Sequence, residues 1–114
     1  MVYKDFETLS SNEDFKKVYN KKKSSANKNL IMYISENGLD TKRLGVSVSK
    51  KVGNSIVRHR LARLIREAFR LNTCHIPDGM DIVIVARSNL VNKDFNETEK
   101  SLLHLLKQMN IYKD

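Results

Sequence analysis

The spacing of apolar positions changes along the chain, and each change marks a predicted element. Phe15, Val18 and Tyr19 recur at i, i+3 and i+4, the signature of one helical face. Ser11 stands where that helix would be capped, with Asp14 three residues on in place of the usual Glu of a capping box. Lys21-Lys22-Lys23 closes the helix with cations, which suit the negative end of its dipole. Leu30 to Ser35 is mostly apolar and reads as a strand, followed by the turn signal Glu36-Asn37-Gly38. From Arg43 to Ser49 the period is two, which places Leu44, Val46 and Val48 on one face of a second strand.

A basic turn, Lys50 to Asn54, leads into a long helical pattern from Ser55 to Leu71, with Asn54 as its N-cap. Pro77-Asp78-Gly79 is a turn, and Asp81 to Arg87 holds the continuous apolar run of a buried strand. Asp94 to Met109 returns to helical spacing, with Phe95, Leu102, Leu105, Leu106 and Met109 on the core stripe. No repeat, low-complexity stretch or linker interrupts residues 1–114, which read as a single domain. The element order predicts an α+β protein, a two-layer sandwich of helices on a mostly antiparallel sheet.

Charge changes this picture. Residues 1–41 hold 7 basic and 6 acidic side chains, residues 42–70 hold 9 and 1, and residues 71–114 hold 5 and 6. The middle of the chain thus carries the whole basic excess, the footprint of a polyanion site. On a helical wheel Val57, Leu61, Leu64, Ile65 and Ala68 share one arc of the Ser55–Leu71 helix. Arg63, Arg66, Arg70 and His59 lie opposite, flanked by Arg58 and Arg60, and Glu67 is placed to orient Arg60 or Arg63. Arginine offers phosphate a planar, two-point fork. The Lys50–Asn54 turn adds the free N–H groups of a helix start. Charge alone does not choose between RNA and DNA.

Phe15, Tyr19 and Tyr33 have two readings, as core residues or as a groove on which unpaired bases stack. Catalytic constellations are thin. His59 lies among arginines, a poor setting for a lone general base. His75 precedes a turn, and His104 faces away from the apolar stripe of the last helix, toward solvent. No histidine or carboxylate cluster has metal-ligand spacing, so any hydrolysis is expected to belong to a partner. Cys74 is the single cysteine, which excludes an intramolecular disulfide framework. No apolar run approaches the ~20 residues of a membrane span. Met1 to Glu7 carries acids where a secretory segment is apolar. The expected location is cytoplasmic, with no membrane partner.

The stretch Ser47-Val48-Ser49-Lys50-Lys51-Val52-Gly53-Asn54-Ser55-Ile56-Val57-Arg58-His59-Arg60-Leu61-Ala62-Arg63-Leu64-Ile65-Arg66-Glu67-Ala68-Phe69 resembles the Arg-Asn-Arg signature of the bacterial ribonuclease P protein subunit. Asn12 to Tyr19, Ser24 to Lys28, Ile82 to Arg87 and Glu97 to Leu102 resemble its flanking segments, so the likeness spans nearly the whole chain. His59 departs from the motif's Asn, Ala62 from its Lys, Lys22 from a common Gly and Asn89 from a frequent Pro; the first ten residues are also less basic than is usual.

The resemblance implies a two-layer α/β sandwich, ribosomal protein S5 domain 2-like, of helix-strand-strand-strand-helix-strand-helix order. It also implies a left-handed crossover through the basic helix, where the general rule favours a right-handed one. It implies the accessory subunit of a ribozyme that removes the 5′ leader of precursor tRNA. The catalytic RNA and the substrate would hold Mg2+, and the protein would supply no catalytic residue. Lys50, Lys51, Asn54, Arg58, His59, Arg60, Arg63 and Arg66 would grip the RNA subunit. Phe15, Tyr19, Ser24, Asn27 and Tyr33 would bind the leader. The implied partners are ribonuclease P RNA and precursor tRNA, with no obligate protein partner. The rival reading is a stand-alone RNA-binding module such as a small ribosomal protein, which needs only the basic face.

Overall fold

A computed structural model describes residues 5–114. The reading of Met1 to Glu7 therefore lies partly outside the described residues. The order is β1 (Glu7–Thr8), α1 (Asn12–Asn20), β2 (Ser24–Ala26), β3 (Leu30–Glu36), β4 (Arg43–Ser47), α2 (Ser55–Leu71), β5 (Met80–Ala86) and α3 (Phe95–Gln108). Short 3-10 turns at Thr73–His75 and Ser88–Leu90 flank β5. The spatial strand order is β1-β4-β5-β3-β2.

The sheet is mixed, where a mostly antiparallel one was expected. β2 and β3 are antiparallel, as are β3 and β5, but β4 runs parallel to both β5 and β1. The cause is α2, which carries the chain from the end of β4 back to the start of β5, as a parallel neighbour requires. Two of the strands escape the pattern of the sequence. β1 and β2 have two and three residues, too short to show an alternation.

The sheet separates two apolar clusters. Leu30, Met32 and Ile34 of β3, Leu44 of β4 and Ile82 and Ile84 of β5 face α2 and α3. There they meet Leu61, Ile65, Ala68, Phe69, Leu102 and Leu105. Phe69 also packs edge-on against Phe6, with ring centroids 4.8 Å apart. The other face carries a smaller cluster of Leu9, Val18 and Val83 under α1, with Phe15, Tyr19, Tyr33 and Val85 half-buried around it.

The caps form as expected. Ser11 Oγ accepts from the N–H of Asp14 and Asn54 Oδ1 from that of Val57. Lys22 has φ 56° just after α1. This is the left-handed conformation in which a glycine costs least, so the departure from the family's common Gly has a local backbone consequence.

Candidate nucleic-acid interface

Gly45 sets the position of the aromatic cluster. A Cβ there would lie 2.7 Å from Cζ of Phe15, so only a bare backbone lets that ring settle on β4. Gly45→Val is expected to push Phe15 outward and cost roughly 1–3 kcal/mol by overpacking. Urea unfolding of Gly45→Val, Phe15→Ala and the double variant checks this: the two changes should couple, with the double variant recovering part of the loss.

Phe15, Tyr19 and Tyr33 come together as one row of rings. The Phe15–Tyr19 centroids are 6.3 Å apart, and Tyr19 meets Tyr33 edge-on at 4.7 Å. The two sequence readings thus merge, since the same rings wall the small core and keep a half-open surface. Ser24 is opposite Tyr33 in the β2–β3 register and is exposed beside it.

Burial raises the Tyr19 phenol above its ordinary pKa of 10.0; a hydrogen bond with the Ser47 side chain opposes the shift, and Tyr33 adds to it. A raised folded-state pKa means that the linked stabilisation is complete below the unfolded value and disappears as pH rises through the folded one. An ultraviolet titration should show a phenol ionising above 10.0 that Tyr19→Phe removes. Ser47 stands outside the apolar alternation from Arg43 to Ser49, which marks Leu44, Val46 and Val48 instead. Its alternation with Arg43 and Gly45 on the opposite face of β4 was the available signal.

Asn27 is not brought to the rings. Its Oδ1 accepts from the N–H groups of Asn29 and Leu30. Its Nδ2 donates to the Ser101 carbonyl and to Nδ1 of His104. Asn27 therefore ties the β2–β3 turn to α3. His104 is exposed as expected, yet engaged.

The basic face stands on the other side of the sheet. Leu61, Ile65 and Ala68 anchor α2 to the core, which turns His59, Arg60, Arg63 and Arg66 outward. Among the described residues Arg63 and Arg66 have no hydrogen-bond or ion-pair partner. Arg60 donates to the carbonyls of Val91 and Lys93, so it also pins the loop before α3. Arg58 is half-buried, and its enclosed Nε finds no acceptor among the described residues. Lys50 and Lys51 are exposed at the turn before α2. Glu67 departs from its expected role: it forms a two-point pair with Arg70, one turn away, not with Arg60 or Arg63. That pairing holds its carboxyl below the usual range, and the charge of Arg63 adds to the shift from beyond ion-pair distance.

Beyond the anticipated residues, Arg43 of β4 donates twice to buried Asp81 of β5, each bond 2.7 Å long, and Asn37 adds a third donor. This network fastens the parallel pair at its starting end.

Fold and surface together define a two-faced α+β protein, with rings under α1 and an exposed arginine face on α2, of which Arg63 and Arg66 make no hydrogen bond or ion pair among the described residues. Residues 3–110 match the Ribonuclease P family. The chain is 52% identical over 103 residues to the Ribonuclease P protein component of Alkaliphilus oremlandii, covering 90% of each. It is 52% identical over 101 residues to that of Lachnoclostridium phytofermentans, covering 89% of this chain and 87% of the relative. Among solved structures, the RNase P protein of Staphylococcus aureus superposes with a TM-score of 0.85 at 36% identity, covering 93% of this chain and 97% of that one. That of Thermotoga maritima gives 0.82 at 37% identity, covering 90% and 96%. The chain belongs to the ribonuclease P protein family.

Proposed function

We propose that this chain is the protein subunit of a ribonuclease P holoenzyme and works as an RNA clamp. The α2 face, with Lys50, Lys51, Asn54, Arg58, His59, Arg60, Arg63 and Arg66, binds the RNA subunit. The α1 face, with Phe15, Tyr19, Ser24 and Tyr33, receives the single-stranded 5′ leader of precursor tRNA. Asn27 contributes indirectly, by holding the turn that follows Ser24. Hydrolysis of the phosphodiester between leader and tRNA belongs to the RNA subunit, with Mg2+ held by RNA and substrate.

One observation carries this reading: the exposed arginines of α2 and the half-open rings stand on opposite faces of a single sheet. A chain that only bound one RNA would need the basic face alone. Two faces let one small protein touch a folded RNA and a separate strand at once. Each partner repels the other through its phosphates, and cations placed at their junction lower that repulsion. Leaders of many sequences must be accepted. Ring stacking and backbone contacts tolerate sequence, whereas base-edge readout does not.

The bond-breaking step therefore needs nothing from this chain except placement of the substrate. Among the described residues no three His, Cys, Asp or Glu side chains gather as metal ligands. No helix among them is long and apolar enough to cross a membrane.

Cleavage of precursor tRNA by the cognate RNA subunit at low Mg2+, with and without this protein, tests the reading. The protein should restore cleavage that the RNA alone performs poorly. Cleavage by the protein free of any RNA subunit would overturn it.

A further inference from the structure

The surface under α1 does not end at the rings. Tyr33, Val83 and Gly45 form one row across the sheet, and Ile31, Val85 and Ser47 form the next on the same face. Residues two apart share a face, so the floor runs on toward Arg87 and Ser49, where the Arg87 N–H still bonds the Asn29 carbonyl, while the Asn29 side chain turns to Ser101 of α3. A cavity of about 330 Å³ opens there, between Lys28, Ser49, Lys51, Arg87, Ser88 and Asn89. A second, of about 250 Å³, shares Lys28 and continues to Lys100, Ser101 and His104 of α3. Neither is lined by a carboxylate. Among the described residues Lys28, Lys51 and Lys100 have no ion-pair partner.

The neutral groups around Lys28 bind one another. Asn27 donates to Ser101 and His104, Asn29 to Ser101 Oγ, Asn89 to Asn29, and Arg87 Nη1 to the Asn27 carbonyl. This lattice holds the turn rigidly on α3 with the lysines left over. Accepting from Asn27 at Nδ1 leaves the His104 ring proton on Nε2, a neutral donor at the rim of the second cavity.

We infer that α3 belongs to the substrate interface: the RNA strand that lies on the rings continues over the Lys28 turn, and its phosphodiester backbone meets Lys100 and His104. The inference rests on the leader-binding reading above and extends it to a helix outside the assigned sites. The strand rounds the end of the sheet, from the ring floor at Ser49 and Arg87 past Lys28 to α3 on the α2 side, and this path from the rings selects the leader over the RNA subunit as occupant. Unpaired cations without neighbouring acids suit a backbone whose sequence varies.

The test uses holoenzyme reconstituted with the cognate RNA subunit, comparing wild type with the Lys28→Gln, Lys100→Gln double variant. Substrates are mature tRNA, a precursor whose leader ends on the rings, and a precursor with a longer leader. The variant should lose about fivefold in affinity for the long leader at moderate salt. Its log–log salt slope for that substrate should fall by about 1.4, two single-strand phosphate contacts. The short-leader precursor and the RNA subunit should bind as to wild type. A variant that matches wild type on the long leader overturns the inference, as does one that loses equally on every substrate or loses RNA-subunit affinity. If wild type itself binds mature tRNA as tightly as either precursor, the leader-cleft reading falls together with this one. A wild-type preference for precursors beside an unaffected variant removes only the α3 track.

Discussion

Arg63→Ala combined with Arg66→Ala should weaken binding of the RNA subunit and flatten its salt dependence by nearly 2 units of log–log slope, at roughly 0.9 per duplex phosphate. Both guanidinium groups are exposed and without partners among the described residues. Their removal therefore breaks no internal bond, and the fold should keep its stability to within about 0.5 kcal/mol, as for ordinary surface changes. The loss should be shared by all RNA sequences, because a phosphate contact carries no base information. Filter binding or fluorescence anisotropy from low to moderate salt measures the slope, and urea unfolding checks the fold. An unchanged slope would remove α2 from the RNA interface. Arg60 is a poorer choice for this test. Its bonds to Val91 and Lys93 mean that Arg60→Ala would also loosen the loop before α3.

Tyr19→Ala should act on the other face. Base–aromatic stacking contributes roughly 1–3 kcal/mol per base, so precursor tRNA should bind about 5- to 150-fold more weakly, while mature tRNA and the RNA subunit are spared. Tyr19 sits between Phe15 and Tyr33, and its loss also opens the wall of the small core around Val18. Tyr19→Phe separates the two effects. It keeps the ring and the packing and removes only the phenol that bonds Ser47, so it should retain most of the leader affinity. Equal losses for precursor and mature tRNA with Tyr19→Ala would show that the ring contributes stability alone.

The three helices, the three longer strands and the capping residues Ser11 and Asn54 were legible in the residues alone. Each long element repeats its period often enough to be read, and each cap acts over three residues. The arginine row was equally plain, because a wheel needs only helix geometry. Phe15, Tyr19 and Tyr33 were legible as one groove or as core, and the fold brings their rings together. Glu67 was misjudged because the wheel placed it between two arginines and ignored Arg70 one turn on, whose side chain reaches it. Asn27 was assigned to the leader site by its motif. Its partners Ser101 and His104 stand more than seventy positions away, where no local pattern points.

What the amino-acid order settled by itself is therefore local: where helices start, which of their faces are apolar, and where positive charge accumulates. These follow from interactions within a few residues. Which face of the sheet receives α1, the parallel seating of β4 beside β5, the slot that Gly45 leaves for Phe15 and the union of the Asn27 turn with α3 were decided only in three dimensions. Each depends on close packing or hydrogen bonding between segments far apart in sequence, and such pairings are chosen by the best simultaneous burial of the whole chain.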